Sequence, residues 1–296
     1  MDKERFSGTC TALVTPFLKG EINYPMMEQL LRRQRDAGIK TVIIAGTTGE
    51  SATLTDHEKQ ELFYRCKKYV GDSMNIIAGT GSNSTEHAVN LSKMAQDAGA
   101  DGLLVVSPYY NKATEDGLVA HYMSIAQAVS IPVILYNVPT RTGLDIPLSV
   151  YRRLCRVPNI LGVKEATTDL RKISKIRAQC GGNLKIWSGN DDLTVPILAL
   201  GGCGVISVTG NIFPELMSAM TDAGLAGDFD TASALQITLQ PFCEALFREV
   251  NPVPVKTCMR LIGYDCGECR LPLAHADAET VAELTNALKS IEINLR

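Results

Sequence analysis

Ala98-Gly99-Ala100-Asp101-Gly102-Leu103-Leu104-Val105-Val106-Ser107-Pro108 is the stretch on which the fold turns. The segment before it, 84–98, sets Ala88, Leu91 and Ala95 on one face at helical spacing, and Gly99 follows in the position of a helix C-cap. Residues 102–106 are then apolar throughout rather than alternating, the pattern of a parallel strand covered on both faces. The loop Ser107-Pro108-Tyr109-Tyr110-Asn111 ends the unit. Ala37-Gly38 and Leu200-Gly201 are similar helix exits, each leading into a strand.

Working outward, apolar runs of this kind fall at 10–14, 41–45, 75–79, 102–106, 132–136, 160–164, 184–187 and 203–207, spaced at about 20 to 35 residues. Helical patterns lie between them. Residues 25–37 carry Met26, Met27, Leu30, Leu31 and Gln34 at helical spacing, and Thr55-Asp56-His57-Glu58 reads as a capping box. Eight β–α alternations with short links predict an α/β fold, a closed (β/α)8 TIM barrel. An open doubly wound sheet is the alternative. It usually carries a glycine-rich phosphate fingerprint after its first strand, which residues 11–20 lack, and Gly79-Thr80-Gly81 is not followed by the third glycine. Past about residue 226 the strand signal stops. Residues 228–248 read as a long amphipathic helix interrupted near Pro241, and 252–263 and 277–288 as two more. The expected division is a catalytic barrel over 1–226 and a C-terminal helical region over 227–296, packed on the barrel rather than forming a second catalytic domain.

Of the 296 residues, 45% are hydrophobic and 21% charged, an ordinary globular composition. A net charge of −3 leaves no basic field for nucleic acid, and no run approaches the roughly 20 apolar residues of a membrane span. Met1-Asp2-Lys3-Glu4-Arg5-Phe6 is not a secretory signal, so a cytoplasmic protein is expected. Most of the nine cysteines, among them Cys10, Cys155, Cys180, Cys203 and Cys243, sit in apolar stretches and read as core. Cys266-Gly267-Glu268-Cys269 has no second pair or histidine at zinc spacing.

In such a barrel, chemistry concentrates where strands end. Lys164 is the outlier there, closing the apolar run Ile160-Leu161-Gly162-Val163. Partial desolvation at a strand end lowers an amine's pKa, and a neutral amine condenses with a carbonyl to give a Schiff base. The competing readings are a salt bridge to Glu165, disfavoured because strand neighbours point to opposite sides, or a side chain that simply reaches solvent. Gly46-Thr47-Thr48-Gly49 offers hydroxyls and exposed N–H groups, an anion-binding concavity, or else threonines that merely cap a helix. Tyr136 ends the neighbouring strand, as a proton carrier beside an imine or as a buried tyrosine bonded to backbone. Arg141 is a carboxylate clamp or a solvated loop arginine. The four histidines show no ligand spacing, and neither a G-x-S-x-G elbow nor a P-loop is present. Asp191-Asp192 could hold Mg²⁺, but such pairs more often open a helix.

With these motifs in order, the chain resembles the 4-hydroxy-tetrahydrodipicolinate synthase (dihydrodipicolinate synthase) family, in the N-acetylneuraminate lyase superfamily. The likeness runs from Gly8-Thr9 to Arg270-Leu271-Pro272. It rests on Ala12-Leu13-Val14-Thr15-Pro16-Phe17, Gly46-Thr47-Thr48-Gly49-Glu50-Ser51, Pro108-Tyr109-Tyr110-Asn111, Tyr136-Asn137-Val138-Pro139-Thr140-Arg141-Thr142-Gly143, Gly162-Val163-Lys164-Glu165-Ala166 and Gly204-Val205-Ile206-Ser207-Val208. The resemblance implies condensation of pyruvate with L-aspartate 4-semialdehyde in lysine (diaminopimelate) biosynthesis, without metal or organic cofactor. It makes Lys164 the Schiff-base lysine and Tyr136, Thr48 and Tyr110 a hydroxyl relay, with Tyr110 entering a neighbouring subunit's site in a homotetramer, though dimers also occur. Thr47 and Thr48 would hold the pyruvate carboxylate, Arg141 the semialdehyde, and the carbonyls of Gly189 and Ile206 would lie near the lysine. Related sugar-acid aldolases and N-acetylneuraminate lyase share Lys164 and Tyr136 but typically lack the arginine. Ser51, Ala52, Asn83 and Tyr109 match an interface where some members bind inhibitory lysine. Asp56, Lys59 and His87 depart from that pattern, and the cation of Lys59 leads to an expectation of weak or absent inhibition.

Overall fold

The computed structural model describes residues 5–294. Its eight parallel strands are β1 (Gly8–Ala12), β2 (Thr41–Ile44), β3 (Asn75–Gly79), β4 (Gly102–Val106), β5 (Val133–Asn137), β6 (Ile160–Glu165), β7 (Lys185–Ser188) and β8 (Gly204–Ser207). Each pairs with the next, and β1 pairs with both β2 and β8, which closes a (β/α)8 barrel. The outer ring is formed by the helices Tyr24–Asp36, Asp56–Val70, Thr85–Asp97, Glu115–Ala128, Leu148–Leu154, Leu170–Cys180, Thr194–Ala199 and Pro214–Ala226. Polar side chains start several of them. Asn23, Ser84, Thr114 and Asp169 accept from first-turn N–H groups, and Thr55 and Glu58 make the reciprocal capping box. A small hairpin of Phe17–Leu18 with Glu21–Ile22 follows β1.

Alternation along the strands divides the apolar side chains into two cores. Val42, Ile44, Ile76, Leu103, Val105, Leu135, Val163 and Val205 face outward beneath the helices. Cys10, Ile43, Ile77, Leu104, Ile134, Trp187 and Ile206 fill the barrel with Phe6. The Trp187 Nε1–H donates to the Phe6 carbonyl at 2.8 Å, so the interior is packed rather than open.

Two sequence expectations shift. The first strand lies two residues earlier than 10–14, because β1 is fixed by its pairing with β8 from Gly8 opposite Gly204. That approach is so close that a methyl on Gly204 would come 2.0 Å from the Gly8 carbonyl oxygen. Pro241 does not interrupt its helix, which runs unbroken over Phe229–Leu246. The carbonyl deprived of a donor belongs to Ile237, an exposed residue where water can serve instead. This helix packs on Pro214–Ala226 and on Ala278–Asn294, and the buried helix Val253–Leu261 also packs on Ala278–Asn294. Among the described residues no helix is long and apolar enough to cross a membrane.

Candidate active site

β5 and β6 run in register, with Tyr136 beside Lys164 and Asn137 beside Glu165. The first pair faces the barrel interior and the second the helices. Glu165 is fully buried and accepts from Asn137 Nδ2 at 2.7 Å, Tyr151 Oη at 2.9 Å and the Thr167 N–H at 3.0 Å, with Lys172 Nζ at 3.7 Å. Burial still raises its pKa above the ordinary carboxylate value. Every polar contact of Glu165 is therefore with residues other than Lys164, and the salt-bridge reading of their adjacency falls away.

Lys164 is 5% exposed, and no hydrogen bond or ion pair among the described residues engages its ammonium. Its Nζ lies 4.6 Å from the centre of the Tyr136 ring. The residue beside it on β7 is Trp187, the indole that helps fill the barrel. Above lies a cavity of about 150 Å³ whose wall includes Thr47, Thr48, Tyr136, Arg141, Lys164 and Asn251. Gly189 also lines it, and a methyl there would meet the Ala166 Cβ at 2.8 Å.

The loop after β2 is held in an unusual shape. Ala45 and Glu50, at its two ends, both adopt left-handed backbone angles, φ 53° and 57°. For residues with a Cβ such angles cost about 1–3 kcal/mol each and persist only where the surroundings enforce them. Three contacts do so. Thr15 Oγ1 donates to the Gly49 carbonyl at 2.7 Å, Lys256 Nζ reaches Glu50 Oε1 at 2.8 Å, and the Arg270 N–H donates to Glu50 Oε2 at 2.8 Å. Within the loop, Thr48 Oγ1 accepts from Asn251 Nδ2 at 3.0 Å. The backbone N–H groups of Thr47 and Thr48 meet no acceptor among the described residues. Thr47, Thr48 and Lys164 line the same cavity, and unpaired backbone N–H groups are donors of the kind that bind anions. Arg141, on the short helix Pro139–Thr142, lines the same cavity and donates from Nη2 to the Asn251 carbonyl at 3.3 Å.

A second, outer cavity of about 480 Å³ shares Thr47, Tyr136, Arg141 and Asn251 with the first. It extends to Ser51, Ala52, Asp56, Lys59, His87 and Tyr109. His87 Nε2 lies 3.0 Å from Asp56 Oδ2, and its Nδ1 lies 3.2 Å from Ser82 Oγ. Asn83 is not in the lining.

Not every expected residue converges. Tyr110, with φ 70° and 92% exposure, lines neither cavity of its own chain. Ile206 is buried within the barrel and also lines neither. Asp191 is buried and accepts the Val208 and Thr209 N–H groups at 3.0 and 2.8 Å, tying β7 to the loop after β8. Burial pushes the Cys266 and Cys269 thiols up to about 12, so neither is activated. The sequence reading missed Asn251, Glu50 and Lys256. Asn251 and Lys256 belong to the C-terminal helical region, 203 and 206 residues from Thr48 and Glu50 in the loop they hold, and the one local signal there is the Asn251-Pro252 dipeptide, which favours a turn.

A closed eight-stranded barrel whose mouth carries a buried lysine with no ion pair among the described residues has the architecture of the (β/α)8 enzymes. The profile of the Dihydrodipicolinate synthetase family matches residues 5–291, and the chain belongs to that family. It is 45% identical over 284 residues to the 4-hydroxy-tetrahydrodipicolinate synthase of Thermoanaerobacter sp. (strain X514), covering 96% of each chain. It is 44% identical over 288 residues to that of Methanococcoides burtonii, covering 97% of this chain and 98% of the relative. The solved 4-hydroxy-tetrahydrodipicolinate synthase from Methylacidiphilum fumariolicum SolV superposes with a TM-score of 0.96 at 40% identity, covering 98% of this chain and 97% of that one.

Proposed function

We propose that the chain condenses pyruvate with L-aspartate 4-semialdehyde to give 4-hydroxy-tetrahydrodipicolinate, in lysine biosynthesis, through a Schiff base on Lys164. The observation that carries this is the Lys164 ammonium, buried without a polar partner on the wall of a cavity that also holds two free N–H groups. The barrel over 1–226 is the catalytic unit, and the helical region over 227–296 completes its mouth through Asn251.

Neutral Lys164 adds to pyruvate C2, and loss of water leaves a protonated imine. The imine draws electrons, so a methyl proton leaves and an enamine forms. Its carbon attacks the aldehyde of the semialdehyde, forming the new C–C bond while the aldehyde oxygen takes up a proton. The substrate amine then adds to the imine carbon and expels Lys164, which closes the ring and retains the hydroxyl. Thr47 and Thr48 N–H groups hold the pyruvate carboxylate, and Arg141 holds that of the semialdehyde. Gly189 and Ile206 supply backbone carbonyls near the lysine. Tyr136 and Thr48 pass protons with Tyr110. The exposure of Tyr110 outside its own cavity supports its service in a neighbouring subunit, within a cytoplasmic homotetramer. The chemistry balances with no metal or organic cofactor.

Borohydride reduction in the presence of pyruvate, followed by peptide mass mapping, tests the reading. The adduct is expected on the peptide bearing Lys164. An adduct elsewhere, or none, overturns it. Pyruvate with aspartate semialdehyde should turn over while N-acetylneuraminate is not cleaved, and Tyr136→Phe should lower kcat by about 10²–10⁴-fold.

A further inference from the structure

β5 and β6 do not keep one register along their length. Val133 lies beside Ile160, but the next pair is Ile134 with Gly162, so Leu161 is an extra residue on β6. Leu161 packs into the barrel interior, and alternation back from Lys164 points Gly162 the same way, as at a bulge. A methyl on Gly162 would come 2.3 Å from the Lys185 carbonyl oxygen and 2.7 Å from Trp187 Cζ3. The extra residue decides what faces the cavity. Without it, the pairing of Val133 with Ile160 would continue to Tyr136 beside Val163 and Asn137 beside Lys164. A one-residue slip sends every side chain to the other face, so Lys164 would point at the helices and Glu165 into the barrel.

Polar groups hold the upper register. Asn137 and Glu165 follow Tyr136 and Lys164 directly, are fully buried, and line neither cavity. Asn137 Nδ2 donates to Glu165 Oε1 across the strands at 2.7 Å. The Thr167 N–H and Tyr151 Oη also donate to Glu165, at 3.0 and 2.9 Å. Asn137 Nδ2 further donates to Asp145 Oδ1 at 2.8 Å, and its Oδ1 accepts the Ile146 N–H at 3.0 Å, which ties down the segment following the short helix of Arg141. Apolar contacts between strands tolerate a slip. A slip here would strip a buried carboxylate of its donors, which is costly.

We infer that Asn137 and Glu165 are positioning residues, whose bond locks the bulged register of β5 on β6 and so keeps Lys164 in the cavity with Tyr136 beside it. The lock serves catalysis only if Lys164 and Tyr136 are the reacting pair; the register stands apart from that reading.

A double-mutant cycle read by kcat tests the lock. Asn137→Ala should lower kcat by at least about tenfold in the wild-type background but by less than about threefold in Tyr136→Phe, where the phenol it would misplace is already gone. The KM for pyruvate should stay within about threefold, because Thr47 and Thr48 lie on the loop after β2, away from the lock. Glu165→Gln can still accept from Asn137 and Thr167 and can donate to Tyr151 Oη, so it should keep kcat within about threefold of wild type. Trp187, the single tryptophan of the chain, packs against the bulge, and its emission reports the register without substrate. Asn137→Ala should shift that emission, and Glu165→Gln should leave it at the wild-type wavelength. A wild type that traps no pyruvate under borohydride would sink the Schiff-base reading alone, since the emission still tests the register. If Asn137→Ala does not fold, Asn137→Ser, too short to reach Glu165, carries the same measurements. Additive kcat losses, a Glu165→Gln loss as deep as that of Asn137→Ala, or unmoved Trp187 emission in a folded Asn137 variant overturns the inference.

Discussion

Lys164 and Lys256 are both buried lysines near the barrel mouth, 5% and 3% exposed, and they have opposite surroundings. Lys256 Nζ donates to the Thr15 carbonyl at 3.1 Å, Glu50 Oε1 at 2.8 Å and the Glu268 carbonyl at 3.0 Å, with the Phe17 ring centre 4.5 Å away. All three of its protons are placed. Lys164 has a tyrosine face and a cavity. Burial alone therefore says little about a lysine. The full complement of acceptors makes one a structural cation, and among the described residues the other has no such acceptor.

Replacing each by methionine should produce reciprocal phenotypes. Lys164→Met should lower kcat/KM by a factor on the order of 10⁴ or more while unfolding at the same or a higher denaturant concentration. Lys256→Met leaves Glu50 buried without its cation, which should cost about 3–5 kcal/mol of stability. Denaturant midpoints check both. A Lys256→Met protein as stable as wild type would break the contrast, and adding Glu50→Gln should recover part of the loss.

Asn251 joins the two regions. It sits at the start of the segment that delivers Lys256, yet its Nδ2 holds Thr48 Oγ1. Its Oδ1 is buried without a partner among the described residues, in a side chain that lines the inner cavity. Asn251→Ala should lower kcat/KM about tenfold, the worth of one well-placed hydrogen bond, with a smaller effect on stability. An unchanged kcat/KM would reduce Asn251 to a structural link.

How much of this was legible in the sequence follows from the range of the interactions. The barrel was, because each β–α unit writes its own pattern locally, as in Gly99 and the apolar run to Val106. The placement of Lys164 beside Tyr136 was, because a polar residue closing an apolar run is a local anomaly and β5 and β6 are consecutive. The two-residue shift of β1 was not, since its ends are set by the partner strand β8, far along the chain. The clamp on the threonine loop was not either. Glu50 stands in the sequence only as part of a motif and Lys256 only as one residue of the helix pattern over 252–263, and tertiary structure pairs the two.

The same C-terminal segment grips the barrel at a second, wetter point, and pH distinguishes the two grips. Arg270 donates to both Glu58 oxygens, Nη2 to Oε1 at 2.5 Å and Nη1 to Oε2 at 3.0 Å. Chiefly through these bonds, and helped by the Thr55 N–H, Glu58 is held at about 2 rather than 4.5. A carboxyl whose folded pKa is depressed stabilises the fold above its unfolded pKa, and that contribution is lost as pH falls through the folded value. The window is thus about 4.5 down to 2. Since the side chain keeps 19% of its surface, the loss should be about 1 kcal/mol rather than the full value of the shift. Urea midpoints measured across this window should fall for the wild type and fall less steeply for Glu58→Gln. Parallel profiles would mean that the acid sensitivity of this clamp resides in other carboxylates.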